Sequence, residues 1–267
     1  MRPHRSRTPL LRALLTASAL LALPGLGGAD EKPAAAPPEE QVHPAEPEPR
    51  YAPPAAEPSV PQPSVAVLYV PPEISFPGRR IGAGTRGMGR QASLQILAPD
   101  HLAYTTEEQP TLYWYLAEPT TTRIDFTIRD ETSVEPLADV TLPQPAQAGV
   151  QAVRLADHGV RLRIGMNYHW FVSLVTDPER RSRDFTVGAW ISRREADPSL
   201  RGRLTAAGGR EPSVYAESGL WYDAIAALSS RIAAAPRDAA LRQHRAALLE
   251  QAGLSEVAAY DLAAPER

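Results

Sequence analysis

The feature that most restricts this chain is a change of period. From about Leu94 to Arg193 apolar side chains fall on every second residue, and beyond position 195 they recur at three- and four-residue spacing. Leu112, Trp114 and Leu116 alternate with Tyr113 and Tyr115, and Ile124, Phe126 and Ile128 alternate with Arg123, Asp125, Thr127 and Arg129. Tyr168, Trp170, Val172 and Leu174 continue the pattern, as do Phe185, Val187, Ala189 and Ile191. A strand sends successive side chains to opposite faces, so each segment has one apolar face, as half-buried antiparallel strands do. Short strands divided by turn-rich segments predict a sandwich or barrel.

The segment "LRIGMNYHWFV" sharpens that expectation. Leu162 anchors the preceding chain, Gly165 allows a tight turn, and Trp170 and Val172 enter the core. Tyr168 stands where a tyrosine at the start of a late strand returns its hydroxyl to upstream backbone, the corner found in immunoglobulin-like and fibronectin-type sandwiches.

After Arg193 the signals become helical. Asp197 with Pro198 reads as an N-cap and first helical residue, and Gly208 and Gly209 end that helix. A second helix opens at Pro212, carries the stripe Trp221, Ile225, Leu228 and Ile232, and stops at Pro236. Asp238 caps a third, with Leu241 and Leu248 on one face and Gly253 as terminator. Gly219-Leu220 and Gly253-Leu254 lie 34 residues apart, and Ala224 and Ala258 share the offset. That is the tetratricopeptide period, although a single chance helical hairpin gives the same spacing. One and a half such units need a partner surface, because about three are required to stand alone. Tyr113, Tyr115 and Phe171, opposite the core faces, supply a surface for packed helices.

The N-terminus reads as a secretory signal. Arg2, Arg5, Arg7 and Arg12 precede the apolar run from Ala13 to Leu23, and small residues up to Ala29 supply a cleavage site. The run is too short to span a bilayer, which takes roughly 20 apolar residues, and no later segment in the mature chain crosses one. Without residues 1–29 the chain keeps 24 basic against 31 acidic residues, a formal charge of −7. Residues 30–63 carry −5 of this, and the rest is close to neutral. No basic stripe is present, which argues against a nucleic-acid partner. There is no cysteine, so disulfides, thiolate metal sites and a cysteine nucleophile are excluded. Residues 30–72 are a Pro/Ala/Glu-rich spacer, expected to be stiff and disordered. The organisation is therefore a signal peptide (1–29), a linker (30–72), a β-sandwich with an N-terminal Gly/Arg-rich loop (73–195) and a helical segment (196–267).

Candidate chemistry is sparse. Gly82, Gly84 and Gly87 match GxGxxG in form, but prolines precede them and no helical stripe follows, so no dinucleotide or other cofactor is expected. A hydrolase would draw on Ser173 or Ser182, His158 or His169, and Asp157 or Asp184, and no GxSxG elbow is present. His169 lies opposite Tyr168 and Trp170 and is expected to meet solvent or a covering loop. No paired-histidine motif or calcium loop occurs, so no metal is expected. In "DPERRSRDF" the basic Arg180, Arg181 and Arg183 stand beside Asp177, Glu179 and Asp184, giving local ion pairs or a polar partner site at a loop tip. The candidate binding surface comprises Arg80, Arg86, Arg181, Arg183, Trp190, Tyr222 and Asp223. Trp221 and Tyr222 are adjacent, so Tyr222 with Asp223 is expected to face outward.

Four ordered blocks, "PGRRIGAGTRG", "EEQPTLYWYL", "NYHWFVSLVTDPERRSRDFTVGAWISR" and "YAESGLWYDAIAAL", resemble the bacterial domain of unknown function 928 family from about Pro72 to Leu254. Asp177 stands where that family often has cysteine. The resemblance implies an exported bacterial protein and assigns no catalytic residue. Together these readings predict a mainly β chain with C-terminal helices (α+β): an immunoglobulin-like sandwich followed by a short tetratricopeptide-like segment. It would be a periplasmic or secreted, non-catalytic module binding a protein partner in the envelope. The alternatives are a binder of carbohydrate or cell-wall ligands, stacking them on Tyr113, Tyr115 or Trp190, and a hydrolase.

Overall fold

In the computed structural model, which describes residues 67–73, 78–82, 94–144 and 146–263, every strand precedes every α-helix. The strands are β1 (Leu94–Ile96), β2 (Ala103–Thr105), β3 (Thr111–Leu116), β4 (Arg123–Asp130), β5 (Ala138–Thr141), β6 (Gly149–Arg154), β7 (Asn167–Val175) and β8 (Phe185–Arg193). The helices are α1 (Pro198–Thr205), α2 (Glu211–Glu217), α3 (Trp221–Ala234), α4 (Ala239–Gln251) and α5 (Ser255–Ala263). The chain is thus a mixed α and β structure. One sheet has the order β1-β3-β6 and the other β2-β8-β7-β4-β5, with β2 and β8 parallel and the other pairs antiparallel.

The registers follow from alternation. Phe126 stands opposite Val172 and Ile128 opposite Trp170, while Trp170 faces Ala189 and Tyr168 faces Ile191 on the other side. In the smaller sheet Leu112 pairs with Val153 and Trp114 with Ile96. A slip of one residue would turn each apolar set outward, so burial locks these pairings. Both apolar faces share one core, which also takes in Trp221, Ile225 and Leu228 of α3 and Leu248, Leu249 and Val257 of α4 and α5. Burying each such large side chain contributes roughly 1.5–3 kcal/mol. At the start of β7 the backbone N–H of Arg163 donates to the Tyr168 hydroxyl at 2.8 Å, and Gly165 makes the turn at φ 77.

Asp197 caps α1 by accepting from the Leu200 N–H at 2.7 Å, and Asp238 caps α4 through Ala240 and Leu241. Five helices replace the three expected. The helix read from Pro212 to Pro236 is two, because Gly219 adopts φ 73 between α2 and α3. Helix α5 follows a second such turn at Gly253, φ 68. The turns repeat bond for bond at the 34-residue offset. Gly219 donates to Ala216 and Leu220 to Tyr215, while Gly253 donates to Glu250 and Leu254 to Leu249.

The segment read as linker ends in packed residues, a correction at its C-terminal edge. Val67 and Tyr69 are buried, the Val70 N–H donates to the Ala216 carbonyl, and Gln251 binds the backbone of Val67 and Tyr69. Their alternating apolar side chains enter the core before the prolines that dominate the composition end. The residues read as a signal peptide (1–29) and residues 30–66 lie outside the described residues.

The aromatic residues on the outer faces divide. Tyr115 is covered by Tyr260 of α5, with ring centroids 5.2 Å apart. Phe171, on the other sheet, packs on His169 and over Gly188, where an added Cβ would meet its ring at 2.6 Å.

Candidate functional site

The residues Trp221, Tyr222 and Asp223 open α3, and all three are buried. This corrects the expectation that Tyr222 and Asp223 face outward. The first turn of α3 enters the end of the two-sheet core, so protein surrounds it and adjacent side chains need not divide between core and solvent. The Trp221 indole donates to the Leu97 carbonyl at 2.8 Å. The Tyr222 hydroxyl accepts from Trp170 at 3.0 Å and donates to the Trp190 carbonyl at 3.1 Å, joining α3 to β7 and β8. Asp223 accepts from the Thr106 N–H and, at 2.7 Å, from its hydroxyl. Burial pushes the Asp223 carboxyl up to about 6, against the opposing hydrogen bonds from Thr106 and Thr105. The same loss of solvent raises the Tyr222 phenol. These residues fasten the structure.

The other candidates are mostly engaged. The Arg80 guanidinium donates to the Ala98 carbonyl at 2.7 Å and to that of Ala252, just past α4. Arg181 pairs with Asp125 at 2.9 Å and Asp184 at 2.6 Å, so the β7–β8 loop is tied to β4. Arg183 is exposed and makes no ion pair among the described residues. Trp190 is half-buried, with its ring stacked on His169 at 4.2 Å. Arg86 lies outside the described residues, as does most of the Gly/Arg-rich loop.

His169 is buried between Phe171 and Trp190, beneath a covering of rings and not in solvent, and its Nε2 has no hydrogen-bond partner among the described residues. Burial, reinforced by the nearby Arg129 charge, lowers its pKa to about 4. Ser173 bonds Thr186 at 2.8 Å and Asp184 pairs with Arg181. Ser173, His169 and Asp184 thus meet different neighbours.

A groove of about 680 Å³ lies between the outer face of the three-stranded sheet and the helices. Its floor is formed by Thr111 and Tyr113 of β3 and by Val150, Ala152 and Arg154 of β6. These are the outward positions of the two strands, the complement of Leu112, Trp114 and Val153. Its wall includes Ser229 and Ser230 of α3, Arg242 and Arg245 of α4, and Tyr260 and Asp261 of α5.

Arg245 organises that wall. Its Nε and Nη2 donate to the two Asp261 oxygens at 2.7 and 2.6 Å, and its Nη1 donates to Ser229 at 3.0 Å. One buried guanidinium therefore ties α4 to both α3 and α5. Asp261 has no oxygen left without a partner. Arg242 is 9% exposed and donates to the Pro236 carbonyl, and neither it nor Arg154 makes an ion pair among the described residues. Burial raises the Tyr113 phenol, against the Ser230 hydrogen bond. Guanidiniums thus outnumber carboxylates among the described lining residues of the groove.

The sequence did not single out Arg154, Arg242, Arg245, Tyr260 or Asp261. Arg245 and Asp261 are 16 residues apart on different helices, so no local pattern announces the pair. The one available signal was the outward alternation of β3, which marked Tyr113.

No described helix is long and apolar enough to cross a membrane. No curated protein matches the chain. Among solved structures, a multi-domain immunophilin from Arabidopsis thaliana is similar over 72% of this chain and 97% of its own, at 9% identity. Its TM-score of 0.15 carries no argument about fold or function. The profile of the family described as Domain of Unknown Function (DUF928) matches residues 81–262, most of the sequence, and the chain belongs to that family.

Proposed function

We propose that this chain is an exported, non-catalytic interaction module of the cell envelope, an immunoglobulin-like sandwich with a tetratricopeptide-like helical segment, which holds a partner in the groove between them. The export reading rests on the four arginines before the apolar run at residues 13–23. The sandwich reading draws on the Tyr168 corner, and the helical reading on the turns repeated at Gly219 and Gly253.

The observation that carries the binding role is the groove itself. Its volume lies within the ~300–1,000 Å³ typical of ligand sites, and its wall is fixed by a buried, bidentate ion pair. Such a pair holds Arg242 and Tyr260 in place on neighbouring helices before any partner arrives, which lowers the ordering cost of binding. Glycan stacking on Tyr115 or Trp190 is less favoured, because Tyr115 is covered by Tyr260 and Trp190 is stacked on His169.

A photoreactive p-benzoylphenylalanine at Ala152 tests the reading in cells of the native host, with the same residue at Val134, exposed in the β4–β5 turn, as control. The expected result is a discrete adduct from position 152, lost with Arg154→Glu and absent from position 134. Equal adducts from both positions, or none from position 152, would contradict it.

A further inference from the structure

We propose that the groove takes an extended, carboxylate-bearing peptide segment of a partner protein, with acidic side chains meeting Arg154 and Arg242. This rests on the reading of the groove as a binding site and names what it binds.

Charge is the first argument. The only carboxylate among the described lining residues is Asp261, and both its oxygens are taken by Arg245. Arg154 and Arg242 therefore leave a local positive surplus in a chain whose net charge is −3. Arg242 matters most, because it is nine-tenths buried and its bond to the Pro236 carbonyl leaves its charge without a counter-ion among the described residues. A guanidinium withdrawn from water is stabilised by an anion that can accept in its fork geometry.

Hydrogen-bond capacity is the second. The Arg154 and Arg242 guanidiniums donate only, the Ser229, Ser230, Tyr113 and Tyr260 hydroxyls can donate or accept, and no further carboxylate faces them from the described lining residues. Carboxylates and peptide carbonyls supply acceptors.

Shape is the third. Val150, Ala152 and Arg154 project from the floor two residues apart, a spacing of roughly 6.5–7 Å along a strand. An extended peptide repeats its side chains at the same interval, so small apolar residues can lie over Val150 and Ala152 while an acid meets Arg154. One inorganic anion would fill only a small part of the volume.

Fluorescence anisotropy of the full mature chain with a fluorescein-labelled peptide of repeating Ala-Ser-Ala-Ser-Glu-Glu, which sets two alanines and a glutamate in succession on one face, tests this. Its glutamine counterpart, inorganic phosphate and anionic phospholipid vesicles serve as competitors. The glutamate peptide is expected to bind, and to lose at least tenfold in affinity with Arg154→Gln and with Arg242→Gln. Arg210→Gln, exposed just before α2, is expected to leave binding unchanged. The glutamine peptide and phosphate should compete at least tenfold less well than unlabelled glutamate peptide. Arg154 is exposed, so its variant keeps the test valid if Arg242→Gln fails to fold. Absence of binding, binding indifferent to Arg154→Gln, or stronger competition by vesicles than by the peptide would overturn the proposal. If cross-linking from Ala152 still yields its adduct, only the acidic class falls and the groove stands as a site.

Discussion

The two ends of α3 meet the sheets in opposite ways. Its first turn is closed, with Trp221, Tyr222 and Asp223 each bonded to a different part of the strand region. Its last turns, with α4 and α5, stand away from the outer face of β3 and β6 and leave the groove. Uncharged partners fill the first contact, apart from one carboxyl that burial pushes toward neutrality. Arginines line the second. One helix therefore serves as core at one end and as the wall of a candidate site at the other, and stability and binding should respond to different residues.

The strongest way to break the contrast is Trp221→Ala. It opens a cavity where the two sheets and α3 meet and leaves the Leu97 carbonyl without its donor. The expected loss is about 3–5 kcal/mol, read from the urea midpoint. A loss near zero would mean that the closed end is not core.

Asp223→Asn tests the same end through pH. The folded carboxyl titrates near 6 and the free one near 3.8, so the folded state binds the proton more tightly. Its stabilising contribution is complete below pH 3.8, declines as pH rises to about 6 and is then lost, a change of about 3 kcal/mol. The asparagine variant lacks this titration. Urea midpoints of the two proteins should therefore diverge across that window in favour of the variant, and parallel curves would refute the assignment.

A smaller effect separates the repeated turns. Gly219 and Gly253 both have positive φ, so alanine strains either by about 1–2 kcal/mol. At Gly219 a Cβ would also lie 3.2 Å from the Val70 carbonyl and 3.3 Å from Pro72, whereas nothing lies within 4 Å at Gly253. Thermal unfolding should rank Gly219→Ala as the more destabilised. The reverse order would place the Val67–Pro72 segment elsewhere.

The smallest stability change belongs to the open end. Arg154→Gln, at an exposed position without an ion pair among the described residues, should shift the unfolding free energy by no more than about 0.5 kcal/mol while reducing binding. A large destabilisation would make Arg154 part of the frame.

What the sequence disclosed follows from the range of each signal. The alternation of Ile124, Phe126 and Ile128, the Asp197 and Asp238 caps and the Tyr168 corner act within a few residues, so they were legible. The burial of Tyr222 was not, because adjacent residues on a helix normally point apart, and only insertion between the sheets surrounds both. The Arg245–Asp261 pair and the groove arise from three helices meeting one sheet, which no local window contains. Arg80 and Arg181 illustrate the converse, since both read as free loop charges and both bind distant groups.

The central claim is that strands and helices share one core through the first turn of α3. Guanidinium unfolding of residues 30–267, followed by the fluorescence of Trp114, Trp170 and Trp190 of the strands together with Trp221 of α3, and by the helical circular dichroism signal, tests it directly. Coincident transitions with one midpoint are predicted. A helical transition that precedes or outlasts the fluorescence change would show that the helices are a separate, docked unit.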